Sequence, residues 1–316
     1  IDLKWIKSHK GHSVALKPSA LDSLARIRTR KGFEIVKEEM PFFRESMMIK
    51  DHDLMEIQRA QDSNDPYLDD VLNSIYDDAS ELVEGARVSA EKMRMQLLAP
   101  VGGEMLISIG TADNTVYAYD YDPDSSWKNK HYAELSGTAT WDKADTAKPL
   151  NDIQVGTEYL SSIGMAPTYA LMNSKTFTYL IENNQMKNAF ITSTGLSVGF
   201  MSKAKAREIF QLNTGLTVVL YDKMYTDYDG TEKKFYPDDY VTIIGAGTLG
   251  NTWAGVTPEE RTLRDDSSVD VSVLESGIAI ATQTIYGPPV QYSTTASMLA
   301  LPSYEGMDGV YVIKVK

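Results

Sequence analysis

The sequence of 316 residues contains no cysteine and only four histidines. Without thiols the chain cannot form a disulfide framework, use a thiolate as a nucleophile or bind zinc through cysteine. This composition indicates a protein that is made in a reducing cytoplasm. The sequence also lacks a run of about 18 apolar residues and a charged-then-apolar opening. We therefore expect neither a membrane span nor export through a signal peptide.

Positive charge is scarce and unevenly distributed along the chain, whose formal net charge is −13. Residues 1–50 carry 11 basic and 6 acidic side chains, whereas residues 51–150 carry 8 basic and 20 acidic ones. A protein whose main task was to grip nucleic-acid phosphates would show the opposite overall balance. Regions of opposite charge within one chain favour self-association instead.

The longest regular pattern covers residues 65–99. Asp65 is suited to cap a helix, Pro66 fits the first helical position, and Pro100 follows the end of the pattern. Apolar residues recur along this stretch at spacings of three and four, which predicts one continuous amphipathic helix. Its opposite face carries six acidic residues, namely Asp69, Asp70, Asp77, Glu81, Glu84 and Glu91.

Two basic segments precede this helix. Residues 1–18 hold four lysines with little periodicity, which predicts an extended N-terminal arm. Residues 24–49 predict a long two-stranded hairpin that turns near Lys31 and Gly32. The tip of this hairpin is basic, with Arg26, Arg28, Arg30 and Lys31 within six residues. A long hairpin with so little core of its own is expected to lie on another surface.

The pattern after the long helix is mixed α/β. A hairpin is predicted around Asp113 and Asn114, and Trp127 and Trp141 are expected to anchor the loop-like residues 122–149. Further elements are predicted in the order helix 151–163, strand 168–173, helix 174–184, helix 202–210 and strand 215–222. A second hairpin, with Asp229-Gly230 as its turn, is expected over residues 224–236, followed by a strand at 240–247 and a last strand at 309–315.

Three short strings match catalytic or ligand-binding patterns only in part. GLSVG at 195–199 has the form of a nucleophile elbow, but no histidine follows its serine as a hydrolase triad requires. GAGTLG at 245–250 follows an apolar strand like a dinucleotide fingerprint, yet no helical period comes after it. DYDG at 227–230 lacks the acidic residues that a calcium loop needs at both ends. We expect no catalytic residue, no cofactor and no metal.

Several longer strings stand in a characteristic order. They are FRESMMIKDHDLMEIQRAQ before the long helix, YPDDYVTII and LGNTWAGVTPE after the second hairpin, and the ending GPPV with ALPSYEGMDGVYVIKVK. In these strings and in the order of its elements, the chain resembles the tailed-phage major capsid proteins with the HK97-type fold, and among them the lambda-type major capsid protein E family. The resemblance runs over nearly the whole chain, and its weight lies in order and spacing.

The resemblance implies an α+β fold with five parts. These are an N-terminal arm (1–18), an extended E-loop hairpin (19–60), a peripheral β-sheet domain with a spine helix (61–150, helix 65–99), an α/β axial domain (151–295) and a C-terminal strand that returns to the peripheral domain (296–316). Family members have no catalytic residues to carry over.

The function that the resemblance implies is structural. A bacteriophage major capsid protein self-assembles into hexamers and pentamers of an icosahedral shell that encloses double-stranded DNA. Its partners would be copies of itself, portal, scaffold and decoration proteins, and packaged DNA bound without sequence specificity. It would be located in the virion, and in the host cytoplasm during assembly. The alternative is an encapsulin-like nanocompartment shell, which shares the fold but holds enzyme cargo; the insert at 122–149 and the family-like ending favour the phage shell.

Two contacts between subunits are expected. The basic tip formed by Arg26, Arg28, Arg30 and Lys31 should face acidic helix residues of an adjacent chain, with Asp69, Asp70 and Asp77 as first candidates. The hairpin at 224–236 should project toward the centre of a ring of copies, where its aromatic residues would be buried against neighbours. These aromatic residues are Tyr225, Tyr228, Phe235 and Tyr236.

Overall fold

The computed structural model describes residues 2–7, 34–49, 77–110, 116–195, 201–227, 229–263, 269–274, 277–285 and 291–316, together with the single positions 52, 55 and 59. The chain divides into two compact units, and each unit is assembled from three separate stretches. The first unit draws on residues 1–3, 37–93 and 252–303. The second unit draws on residues 4–36, 94–251 and 304–316.

Seven α-helices lie within the described residues. They are α1 (Asp78–Leu98), α2 (Lys128–His131), α3 (Pro149–Ser162), α4 (Ser174–Glu182), α5 (Asn184–Thr194), α6 (Lys203–Thr214) and α7 (Pro258–Leu263). The side chains of Asn173, Asn183 and Ser202 accept hydrogen bonds from the first free backbone N–H groups of α4, α5 and α6. These are residue types that are preferred at helix N-caps. None of the seven is long and apolar enough to cross a membrane.

Sixteen β-strands lie within the described residues. They are β1 (Asp2–Lys7), β2 (Glu34–Glu39), β3 (Phe42–Ile49), β4 (Leu106–Gly110), β5 (Val116–Asp120), β6 (Tyr132–Glu134), β7 (Pro167–Met172), β8 (Thr217–Leu220), β9 (Met224–Thr226), β10 (Glu232–Lys234), β11 (Tyr240–Gly245), β12 (Thr252–Gly255), β13 (Val269–Val273), β14 (Ile278–Ile285), β15 (Gln291–Pro302) and β16 (Val310–Lys314). Three pairs, β1 with β2, β4 with β5 and β9 with β10, form two-stranded sheets.

The first unit is built on an antiparallel sheet in the order β12-β15-β14-β13, with β3 also paired to β15. Side chains alternate across β15, so that every second residue faces the same side. On one side Ala296, Met298 and Ala300 pack with Leu82 and Val83 of α1. The apolar stripe of the helix is thus buried against the small apolar residues of the strand.

The other side of this sheet carries a buried ion pair. Arg44 of β3 lies directly opposite Ser297 of β15 and pairs with Glu259 of α7. The Glu259 side chain is 7% exposed and that of Arg44 is 47% exposed, with its guanidinium 4.7 Å from the centre of the Phe42 ring. A carboxylate removed from water in this way depends on its cationic partner.

The second unit is built on a five-stranded mixed sheet in the order β6-β16-β11-β7-β8. Strand β11 is antiparallel to both β16 and β7, whereas β16 is parallel to β6 and β7 is parallel to β8. Helices α3 to α6 contribute to its core, where Ile153, Leu160, Phe177 and Phe210 are at most 1% exposed. Gly156 lets α3 approach the sheet, since a Cβ there would lie 2.6 Å from Ile243 Cδ1.

Several predicted elements are confirmed within the described residues. Of the expected helix 65–99, α1 covers Asp78–Leu98, and Leu82, Ala90, Met93 and Leu97 of its predicted apolar stripe are buried. The described Asp77 lies in a turn, so α1 does not continue without a break toward residue 65 as expected, and residues 65–76 lie outside the described part of the chain. Trp127 and Trp141 are 3% and 1% exposed, as expected for anchors. The hairpins β4-β5 and β9-β10 and the last strand β16 also lie where the sequence places them.

Other elements differ from the prediction. Helices α2, α5 and α7 were not predicted, and within the expected extended arm residues 2–7 form β1, which pairs with β2. Strand β15 belongs to the first unit because it pairs with β3 and β14, and β16 belongs to the second because it pairs with β6 and β11.

Replacing Arg44 by Leu should destabilise the first unit, because it leaves the Glu259 carboxylate buried without its cation. Breaking a buried ion pair costs about 3–5 kcal/mol, and the lower part of this range is expected because Arg44 is 47% exposed. Hydrogen exchange of the β3 and β15 amides would measure this cost locally. The double variant R44L/E259L should be more stable than R44L alone, and E45L at the exposed neighbouring position serves as the control. Equal protection in R44L and E45L would contradict a structural role for the pair.

Candidate inter-subunit surfaces

The structure describes four of the eleven residues that the sequence assigns to contacts between subunits. They are Asp77, Tyr225, Phe235 and Tyr236. The remaining seven lie outside the described residues, namely Arg26, Arg28, Arg30, Lys31, Asp69, Asp70 and Tyr228. For the charged contact the structure therefore describes only Asp77, and for the aromatic contact it describes the strands of the hairpin and most of its turn.

The hairpin β9-β10 has the predicted position and turn. Tyr225 lies opposite Lys233, and the pairing continues to Thr226 and Glu232 before the turn. Asp229 Oδ1 accepts the backbone N–H of Thr231 at 2.9 Å, and this bond lowers the pKa of the Asp229 carboxyl together with the bond from the Thr231 hydroxyl. Gly230 has φ +77°, a left-handed conformation that glycine adopts without strain.

Two of the predicted aromatic residues pack on each other at the base of this hairpin. The Tyr225 and Phe235 ring centres are 4.7 Å apart, and Tyr221 meets the Phe235 ring edge-on at 6.4 Å. Tyr225 and Phe235 remain partly exposed, and the neighbouring Met224 is 52% exposed. The hairpin thus presents an apolar surface that its own chain covers only in part.

Tyr236 does not belong to this surface, which corrects the sequence prediction. It is 1% exposed, and burial raises the pKa of its phenol. Its hydroxyl lies 3.1 Å from the Leu171 carbonyl oxygen and 2.8 Å from Thr242 Oγ1. Thr242 in turn donates to the Leu98 carbonyl oxygen at the end of α1 at 2.6 Å. Tyr236 is a core residue that helps to satisfy polar groups inside its own chain.

The charged residues of the hairpin are largely paired within the chain. Lys233 forms ion pairs with Asp227 and, at 3.6 Å, with Asp229. Lys234 lies 2.7 Å from Asp238, which also accepts Lys175 at 3.1 Å. Hydrogen bonding to Asp227 raises the pKa of Lys233. Because these charges already have partners, the hairpin is better suited to an apolar contact with another copy than to an electrostatic one.

The exposed face of α1 carries charges of both signs, rather than the purely acidic face that the sequence pattern suggested. Glu81 and Glu84 are exposed, but so are Arg87, one turn after Glu84, and Arg94, about two turns further on. Arg87 Nη1 lies 3.6 Å from Glu84 Oε2. The acidic excess available to a basic partner therefore depends on the beginning of the predicted helix, where Asp77 is exposed in the turn that precedes α1.

The partial catalytic motifs have structural roles where they are described. Gly195 ends α5 in a left-handed conformation, and its N–H donates to the Ile191 carbonyl oxygen at 2.7 Å; the rest of that motif, including Ser197, lies outside the described residues. Gly245 ends β11, and strand β12 rather than a helix follows GAGTLG. Among the described residues, no group of three or more histidine or acidic side chains could hold a metal ion.

Comparison with solved structures finds similar folds in capsid proteins. A crystal structure assigned as a capsid protein of a prophage of Escherichia coli CFT073 matches with a TM-score of 0.61 and 15% identity, over 90% of this chain and 80% of that one. The capsid asymmetric unit of cyanophage A-1(L) matches with a TM-score of 0.46 and 10% identity, over 99% and 88% of the two chains. A search of curated protein sequences finds no match.

Comparison with family models finds a match over most of the chain. The model described as "Phage major capsid protein E" covers residues 6–269. This range includes α1, the hairpin β9-β10 and four of the five strands of the mixed sheet. The chain belongs to the phage major capsid protein E family and is a structural capsid protein with the HK97-type fold.

Proposed function

We propose that many copies of this chain assemble into hexamers and pentamers that close an icosahedral shell around phage double-stranded DNA. The observation that carries this proposal is the family match over residues 6–269. The match favours a phage shell over an encapsulin-like compartment. Electron microscopy of the expressed protein tests the proposal: closed shells that can be filled with DNA support it, whereas shells that enclose only an enzyme cargo would support the alternative.

The two compact units fit the domain plan of this fold with changed boundaries. We assign the first unit, with the start of α1 and the sheet of β3 and β12 to β15, to the peripheral domain. The second unit, with the five-stranded sheet and α3 to α6, is assigned to the axial domain. In this assignment β15 is the strand that returns late in the chain to the peripheral sheet, and β16 completes the axial sheet.

The overall acidity of the chain is consistent with a wall that surrounds DNA without binding its sequence. A net charge of −13 repels phosphate at long range, so packaged DNA can slide along the wall. Besides copies of itself, portal, scaffold and decoration proteins are the proposed partners. The proposed location is the virion, with assembly in the host bacterial cytoplasm.

The proposed role is non-enzymatic, and Ser197 provides a direct check. Ser197→Ala removes the candidate nucleophile of the GLSVG motif, for which no histidine follows in the sequence. Shell yield, measured by sedimentation and electron microscopy, should be unchanged, and no ester hydrolysis should be present in the wild type. Hydrolysis by the wild type that disappears in S197A would contradict a purely structural role.

The hairpin β9-β10 is proposed to contact a neighbouring copy within a capsomer through its partly exposed apolar surface at Met224, Tyr225 and Phe235. Deleting residues 226–234 removes the turn, all of β10 and its three pairs with β9, so Met224, Tyr225 and Phe235 lose the hairpin that presents them, while the buried Tyr236 stays in place. Capsomer formation, measured by native mass spectrometry, should fail, while circular dichroism of the monomer is retained. Asp229→Asn, which preserves the turn, serves as the control. Normal capsomers from the deletion would contradict the proposed contact.

The basic tip is proposed to contact the acidic beginning of the long helix in an adjacent chain. Each exposed ion pair contributes only about 0–1 kcal/mol and is screened by salt, so the effect depends on a cluster repeated at every subunit contact. The triple variant R26E/R28E/R30E should therefore block shell assembly and leave the monomer's melting temperature unchanged. Assembly of the wild type, followed by light scattering, should weaken as salt rises.

Charge reversal on the other side identifies the partner helix. Lysine at positions 69, 70 and 77 should partly restore assembly to the triple glutamate variant, because the two faces would again have opposite charge. Lysine at Glu81 and Glu84, where Arg87 already supplies positive charge, is the matched control and should restore less. If the triple glutamate variant assembles with wild-type yield and salt response, the basic tip has no role in this contact.

A further inference from the structure

His131 is a buried histidine of the second unit. The assembly proposed above assigns no role to it. It is the last residue of α2 and is 4% exposed. Its ring lies parallel to the Trp127 indole, with 5.4 Å between centres, and perpendicular to the Tyr159 ring at 5.0 Å. The imidazole is thus held by aromatic rings from two helices, and its position is well defined.

The neutral form of the ring can make both of its hydrogen bonds. Nδ1 lies 2.9 Å from the Val310 carbonyl oxygen, which can only accept, so Nδ1 carries the proton. In the neutral ring Nε2 is then an acceptor, and it lies 3.4 Å from the Tyr159 hydroxyl, which can donate to it. Both ring nitrogens of the neutral form therefore have partners.

These contacts hold the beginning of the last strand. Trp127 Nε1 donates to the Met307 carbonyl oxygen at 2.8 Å. His131 Nδ1 donates to the carbonyl oxygen of Val310, two residues after Asp308. Leu135 N donates to the Lys314 carbonyl oxygen at 2.9 Å, at the far end of β16. The segment from α2 to β6 is therefore hydrogen-bonded to the turn 307–309 and to both ends of the strand that follows it.

The charged and titratable groups around the ring are few. Asp308 Oδ1 lies 4.0 Å from Nε2, and the Asp308 side chain is 23% exposed. Asp122 is buried and accepts the backbone N–H groups of Trp127 and Lys128, both at 2.9 Å, while Lys130 opposes a positive ring. The phenol of Tyr159 is the remaining titratable neighbour, and burial raises its pKa.

A second proton on the ring would change these contacts. Nε2 would become a donor, so the Tyr159 hydroxyl could no longer donate to it and would have to turn its hydrogen away. Asp308 is the nearest anionic partner, but 4.0 Å is too long for a hydrogen bond. The charged ring gains a close anion when Asp308 approaches it, and Asp308 lies in the turn 307–309 that immediately precedes β16.

We propose that His131 and Asp308 form a proton-operated latch on the last strand. With the ring neutral, the turn 307–309 and the start of β16 are held in the described position. With the ring protonated, Nε2–H attracts Asp308, and the turn shifts and loosens the start of the strand. The latch lies within one subunit, so it operates whether or not the proposed shell is formed.

The direction of the pH dependence follows from burial, which lowers the pKa of His131 more strongly than the Val310 carbonyl and Asp308 raise it. The unfolded chain, whose histidine has a pKa of about 6.5, then binds a proton more readily than the folded chain. The stabilising contribution is present above this value and is lost as the pH falls through the lower pKa of the folded state. Acid therefore opens the latch.

Hydrogen exchange of the unassembled protein, corrected for intrinsic rates, tests the latch in steps from about pH 7.5 to about pH 5.5, one unit on either side of the free value. In the wild type, amides of residues 307–314 should lose protection at the lower pH by at most about tenfold, because pH 5.5 lies only one unit below the pKa of the unfolded histidine. His131→Gln, which can still donate to Val310, should lose this pH response. Exposed His52→Gln is the matched control and should keep it.

Asp308→Asn keeps the test decisive even if H131Q does not fold, because it leaves the ring in place. Without the carboxylate the protonated ring is less favourable, so the loss of protection should begin at a lower pH than in the wild type. A pH response of residues 307–314 that is unchanged in both H131Q and D308N would overturn the proposal. An unchanged midpoint in D308N alone would exclude Asp308 as the partner of the charged ring.

Discussion

The second unit depends on the insertion of the last strand into the interior of its sheet. Strand β16 lies between β6 and β11, so the sheet is not continuous until residues 310–314 are in place. Val310, Val312 and Ile313 are at most 1% exposed and contribute to both faces of the sheet. This strand and the residue after it, Val315, also supply the carbonyl oxygens to which Leu135, Trp141 and His131 donate hydrogen bonds. A chain that lacks its last residues would lose the centre of the unit.

The first unit has a related constraint. Its longest strand, β15, pairs with β3 over eight residues and with β14 over eight residues, and these partners come from opposite ends of the chain. Pairing over such sequence separations costs loop-closure entropy before it gains contacts, which slows folding. Both units therefore form only from a nearly complete chain. For a protein that associates with copies of itself, this order favours subunits that are folded before they meet.

The elements that could be predicted from the sequence are those whose signal is local. The buried positions of α1 follow from a 3.6-residue period, and the hairpin β9-β10 follows from Asp229-Gly230 between two short strands. Helix α5 was missed because only Asn183 separates it from α4. The side chain of that asparagine caps α5, whereas the predicted helix at 174–184 ends at the residue where α5 begins. Helix α7 is too short for any period to be visible.

Contacts between residues far apart in the chain could not be predicted from the sequence. Tyr236 and Phe235 are adjacent aromatic residues, and composition does not reveal that one is buried beneath Leu171 and Thr242 while the other remains partly exposed. Likewise nothing near Glu259 or His131 in the sequence indicates that each is buried, since Arg44 and Val310 lie in other segments.

These buried polar groups occur where separate segments of each unit meet, which explains why they are tolerated. A buried polar group costs free energy unless its partner is correctly placed, so it penalises any other pairing of the segments more than an apolar contact would. The Glu259 carboxylate is neutralised only when β3 adopts the register that places Arg44 beside it. The His131 ring is hydrogen-bonded only when β16 places the Val310 carbonyl at Nδ1. In a chain whose sheets are assembled from distant strands, such groups select one register among several that would bury similar apolar area.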